Sequence, residues 1–124
     1  MKRTVLFLSF FMVLALQLFA DHNPRAIVIT PKGGPRDGLP VYQDIPEAYY
    51  CYDDKTQWII IDGGGVVNYY DVEISSPVTN TVEISTQVDG TYDTFDISSL
   101  PAGSHLITIE SPSGNIYEGT FTSY

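Results

Sequence analysis

Residues 66–88 read Val66-Val-Asn-Tyr-Tyr-Asp-Val-Glu-Ile-Ser-Ser-Pro-Val-Thr-Asn-Thr-Val-Glu-Ile-Ser-Thr-Gln-Val88, and this stretch decides the fold. Tyr70, Val72 and Ile74 alternate with Tyr69, Asp71 and Glu73, the period of two that gives a strand one apolar and one mainly polar face. Ser75 to Asn80 is a turn by composition, and beyond it Val82, Ile84 and Val88 face one way while Glu83, Ser85 and Gln87 face the other. Asp89-Gly90 closes the segment with a dipeptide typical of tight hairpins.

Outward from this pair the same grammar repeats. Downstream come Thr91 to Ile97, then the turn Ser98 to Gly103, the strand His105 to Ile109, a hairpin turn at Pro112 to Asn115, and Ile116 to Phe121. Upstream, Ala48 to Tyr52 and Thr56 to Ile61 flank the polar turn Asp53-Asp54-Lys55, and Asp62 to Gly65 turns into the opening stretch. Arg25 to Thr30 is a further short strand, followed by a loop from Pro31 to Gly38. Val41 to Ile45, enclosed by Pro40 and Pro46, is an edge segment at most, because proline cannot donate to a ladder. These are seven or eight short strands, and no stretch has the 3.6 period of an amphipathic helix. An antiparallel β-sandwich of immunoglobulin-like type is the expected all-β solution.

Composition agrees once the N-terminus is set apart. Lys2 and Arg3 precede an apolar run from Val5 to Leu16, and Ala20 stands before the polar Asp21-His22-Asn23, the layout of a secretory signal. Residues 1–20 are therefore expected to be removed, leaving residues 21–124 as one exported domain, secreted or periplasmic, with no membrane span. That domain holds 8 Val, 12 Ile and 10 Thr but only 6 Ala and Leu together. β-Branched side chains are stiff at their first torsion and suit a pleated sheet better than a helix.

The chain carries 15 Asp and Glu against 6 Lys and Arg, a formal charge of −9. Such a balance excludes nucleic acid as a partner, because phosphate contacts need a cationic surface. Residues 56–124 contain nine acids and no Lys or Arg, so a basic or neutral partner is favoured over an acidic one. A single cysteine, Cys51, leaves no intrachain disulfide and no cysteine zinc site.

Residues Phe95-Asp-Ile-Ser-Ser-Leu-Pro-Ala-Gly103, His105-Leu-Ile-Thr-Ile109 and Gly114-Asn-Ile-Tyr-Glu-Gly-Thr-Phe121 resemble the strand-turn-strand ending of a family of small secreted immunoglobulin-like domains of unknown function from Bacteroides-type bacteria. The same block resembles the C-terminal secretion-sorting domains of Bacteroidetes, and His105 stands where such sequences usually carry Tyr. The first resemblance implies an exported sandwich without an established activity. The second implies export or retention at the cell surface.

Few residues invite chemistry. Asp62-Gly-Gly-Gly65 lacks the Lys-Ser/Thr and the helix of a phosphate loop and reads as a turn. Asp53, Asp54 and Asp62, or Asp89, Asp93 and Asp96, offer carboxylates to calcium, but neither group has the spacing of a calcium loop, so no metal or cofactor is expected. A nucleophilic triad would have to use His105, whose core-facing strand position marks it as structural, and Cys51 beside Asp53 and Asp54 reads as a buried thiol. Tyr49 and Tyr69, next to the inward Tyr50 and Tyr70, are the candidate binding residues, exposed aromatics being typical of contact with protein or glycan. The expectation is a non-catalytic secreted binding or interaction module, the alternative a surface-retention or export-associated domain resembling a sorting tail.

Overall fold

The structure, a computed structural model, describes residues 24–33 and 44–124. The expected leader, residues 1–20, and most of the segment Val41 to Ile45 lie outside the described residues; Asp44 and Ile45 belong to no strand. No helix of the described residues is long and apolar enough to cross a membrane.

The architecture is all-β: nine strands in two antiparallel sheets among the described residues. They are β1 (Arg25–Ile27), β2 (Thr30–Gly33), β3 (Glu47–Tyr52), β4 (Gln57–Asp62), β5 (Tyr69–Ser75), β6 (Val82–Asp89), β7 (Tyr92–Asp96), β8 (Gly103–Glu110) and β9 (Ile116–Ser123). The smaller sheet has the order β1-β3-β4-β7 and the larger the order β2-β9-β8-β5-β6. Ile59, Ile61, Tyr70, Val72, Ile74, Ile97, Ile107, Ile109 and Tyr117 are fully enclosed between them. Each such aliphatic side chain contributes on the order of 2–3 kcal/mol of burial free energy.

The count exceeds seven or eight because the strand expected at residues 25–30 divides. Its first part, β1, pairs with β3 in the smaller sheet; only its last residue, Thr30, enters β2, whose other residues, Pro31–Gly33, were expected to be loop and pair instead with β9 in the larger sheet, so Val28 and Ile29 cross the open side of the sandwich. Gly119 makes the crossing possible: a Cβ there would lie 2.6 Å from the Val28 carbonyl oxygen and 2.9 Å from Ile27 Cγ2. Pro31 sits inside β2 without harm, since β2 is an edge strand.

Two further expectations need correction. Asp89-Gly90 is not a hairpin turn: Tyr92–Asp96 pairs with β4 in the other sheet, and the dipeptide turns a corner between sheets. Asp89 Oδ1 accepts from Thr91 N at 2.7 Å and Asp93 Oδ2 from Asp89 N at 2.9 Å, so local carboxylates hold that corner. In β6, the register shifts between Ile74 and Ser75, so that Ile74 faces Ile84 while Ser75 faces Val82. Glu83 is thereby left over as a bulge and turns inward, and Val82, expected in the core, is 51% exposed. Leu100 plugs the end of the sandwich from the turn before β8, and Gly103 holds the expected positive φ, at 131°.

Candidate functional site

Alternation along the strands separates two outer faces of different character. In the smaller sheet Ala48, Tyr50, Ile59 and Ile61 point into the core, so their neighbours point out. The outward residues form three rows across the strands: Glu47–Asp62–Tyr92, Ala26–Tyr49–Ile60–Thr94 and Cys51–Trp58–Asp96. Tyr49, Trp58 and Ile60 are half-buried on this surface and none of them belongs to the core cluster. Tyr92 is 56% exposed beside them. Cys51 is buried, and that burial pushes its thiol pKa up, so it is not poised as a nucleophile.

Carboxylates border this apolar patch, and each is oriented. Tyr49 donates its hydroxyl proton to Glu47 Oε2 at 2.7 Å, a contact that raises the Tyr49 pKa. Asp62 Oδ1 accepts from Gly64 N at 3.1 Å, and Asp96 Oδ1 from Ser98 N at 2.6 Å, which holds the Asp96 carboxyl below its ordinary value. Beyond Tyr49, where β1 ends, an open groove of about 290 Å³ continues the patch, lined by Ala26, Ile27, Ile29, Pro46, Glu47, Ala48 and Tyr49. Val28 at 77% and Ile45 at 42% exposure stand near it in sequence.

The outer face of the larger sheet is mainly hydrophilic. Its rows run Gln87–Asp71–Glu110–Ile116, Ser85–Glu73–Thr108–Glu118 and Val82–Ser75–Leu106–Thr120, with Tyr69 opposite Asp89 at one end; the apolar members Val82, Leu106, Ile116 and Tyr69 are scattered among acids and hydroxyls. Lys32 pairs with Glu118 at 3.2 Å. The two tyrosines singled out from sequence are thus not brought together: Tyr49 centres the apolar face of one sheet, and Tyr69 lies on the solvated face of the other. Trp58, Ile60 and Tyr92 complete the Tyr49 surface and were missed. A signal for them existed, since Trp58-Ile-Ile-Ile61 is an unbroken apolar run in a strand that can bury only one face against the other sheet.

Two buried polar clusters lie elsewhere. Ser123 Oγ, His105 Nε2, His105 Nδ1 and Glu83 Oε1 follow one another with separations of 2.9 Å and 2.8 Å, the connectivity of a nucleophilic triad. Yet Ser123 and His105 are 2% and 3% exposed, Nε2 lies 2.7 Å from the Pro101 carbonyl, and the Ser123 hydroxyl donates to the same carbonyl at 2.9 Å. The group ties the turn before β8 to β9 and to the β6 bulge, as expected of a structural histidine. The second cluster was not foreseen. Asp44, 6% exposed, accepts hydrogen bonds from Asn115 Nδ2 at 3.0 Å, from the Ser113 hydroxyl at 2.7 Å and from the Tyr117 hydroxyl, while its carbonyl accepts from the Tyr70 hydroxyl at 2.8 Å. Burial alone would raise the Asp44 pKa; the hydrogen bonds, that from Tyr117 foremost, outweigh it and hold the carboxyl down at about 2. The expected turn acids Asp53, Asp89, Asp93 and Asp96 each accept from backbone N–H groups, and among the described residues no three His, Cys, Asp or Glu side chains are placed to share a metal ion.

Fold and surface together define a small immunoglobulin-like β-sandwich with one solvated and one apolar sheet face. Among solved structures, the chain is similar to a DUF3244 family protein with an immunoglobulin-like β-sandwich fold from Bacteroides vulgatus: TM-score 0.57, 14% identity, covering 82% of this chain and 99% of that one. At that identity the likeness is one of fold. No protein-family model and no curated protein matches the chain.

Proposed function

We propose that the chain is an exported, non-catalytic binding module that holds a protein or glycan partner on the outer face of its smaller sheet, around Tyr49, Trp58 and Ile60. The observation that carries this is the contrast between the two outer faces. A sheet face turned to water is normally polar, as Asp71, Glu73, Thr108 and Glu110 are on the larger sheet; an apolar, aromatic face rimmed by carboxylates and continued by a groove has the make-up of a recognition surface. The leader-like residues 1–20 support export.

The test compares residues 21–124 with Tyr49→Ala and Tyr69→Ala variants on panels of oligosaccharides and peptides. Loss of binding with Tyr49→Ala and its retention with Tyr69→Ala is expected; the reverse pattern refutes the assignment. The likeness of Phe95 to Phe121 to secretion-sorting tails supports a second reading, retention at the cell surface. Cell fractionation separates the two: a retained domain stays with washed cells, whereas a free module is found in the medium or periplasm.

A further inference from the structure

We infer that the occupant of this face is a basic polypeptide segment in extended conformation, with Lys or Arg on either side of an apolar anchor. The inference rests on the binding reading above and names its partner class. Three features of the face select that chemistry.

The first is unbalanced charge. Glu47, Asp62 and Asp96 rim the patch, and among the described residues no Lys, Arg or His lies within ion-pair distance of any of them. The described cations are committed or displaced: Arg25 donates to the Tyr124 hydroxyl at 3.1 Å and lies over the Tyr52 and Tyr124 rings, Lys32 pairs with Glu118 on the other sheet, and Lys55 belongs to the β3–β4 turn. A second copy of the chain would set these acids against its own, in a molecule of formal charge −9, so self-association through the face is disfavoured.

The second is spacing. Asp62 and Trp58 stand four residues apart on β4, and Asp96 lies directly opposite Trp58. The acidic rows are therefore about 13 Å apart along the strands, the distance spanned by four residues of an extended chain. An extended ligand with cations at its first and fifth positions meets both rows, and its third side chain lies over Tyr49 and Ile60. The third feature is the aromatic set: Tyr49 is hydrogen-bonded to Glu47 and the exposed Tyr92 lies opposite Asp62, so aromatic side chains adjoin the carboxylates that attract the cations.

The experiment measures binding of the peptide Thr-Lys-Thr-Leu-Thr-Arg-Thr, of its Glu-for-Lys/Arg counterpart and of neutral oligosaccharides to residues 21–124. Four proteins are compared: wild type, Tyr49→Ala, the triple variant Glu47→Gln/Asp62→Asn/Asp96→Asn, and Asp71→Asn/Glu110→Gln on the other sheet. Expected are binding of the basic peptide alone, weakened on the order of tenfold by the triple variant and again by added salt, and unchanged by the larger-sheet variant. Equal losses in the two charge variants would reveal diffuse attraction to an acidic protein and overturn the inference. Binding of an oligosaccharide that Tyr49→Ala abolishes and the triple variant leaves intact would overturn the basic partner while keeping the face as the binding surface. Peptide binding that neither Tyr49→Ala nor the triple variant alters would remove both.

Discussion

Replacing Asp44 by Asn tests whether a single buried carboxylate anchors the segment before β3 to the end of the β8–β9 hairpin. The carboxylate is held at a pKa of about 2, against an ordinary value of 3.8. That lowering corresponds to about 2–3 kcal/mol of stability. The sign follows from the direction. A carboxyl with a lowered folded-state pKa stabilises the fold fully above its unfolded value, and the contribution fades as pH falls from about 5 toward 2. Asp44→Asn keeps the shape and removes the charge, so urea unfolding followed by circular dichroism should show a loss of about 2–3 kcal/mol at pH 7, with unchanged m-value, and little loss near pH 2. Asp44→Ala, which leaves the Asn115, Ser113 and Tyr117 donors without this acceptor, should cost about 3–5 kcal/mol. A wild-type stability that does not decline between pH 5 and 2.5 relative to Asp44→Asn, or an Asn variant within about 0.5 kcal/mol of wild type at pH 7, refutes the argument.

Further expectations bear on the rest of the framework. Glu83→Ala leaves His105 Nδ1 without its carboxylate and should lower stability by about 1–3 kcal/mol while leaving ligand binding unchanged, because the cluster is enclosed; altered binding would contradict its structural role. Gly119→Ala drives a Cβ to within 2.6 Å of the Val28 carbonyl oxygen and should cost about 1–3 kcal/mol by pushing the β1–β2 crossing outward, measurable as a lowered melting temperature. The Cys51 thiol, buried and raised in pKa, should react with a thiol reagent only as fast as the domain opens; stoichiometric labelling of the native protein within seconds would show that the thiol is open to solvent.

The strands were legible because their alternation is local. Tyr70, Val72 and Ile74 advertise the core face of β5 from sequence alone, and Leu100-Pro-Ala-Gly103 advertises the turn that plugs the sandwich. What depends on partner choice was not legible. Asp89-Gly90 encodes a reversal but not which sheet receives the next strand, and nothing local in Val82-Glu-Ile84 reveals that one residue will bulge to carry a carboxylate to His105. Asp44 drew no notice between two prolines because its donors, Ser113, Asn115 and Tyr117, lie some seventy residues away. The proposed binding face is legible in part: Tyr49 reads from sequence as an outward neighbour of Tyr50, but that Tyr49 and Tyr69 lie on different sheets does not, because parity along a strand gives a side chain's face and not which sheet carries it.

The claim that the outer face of the smaller sheet is the binding surface is tested most directly by site-specific photocrosslinking in the cells that make the protein. A diazirine side chain is placed at Ile60 on that face, and in a second protein at Thr108 on the outer face of the larger sheet; both positions are half-buried and point outward. A discrete covalent adduct from position 60 and none from position 108 is the predicted result. Adducts from position 108 with none from position 60 would contradict it.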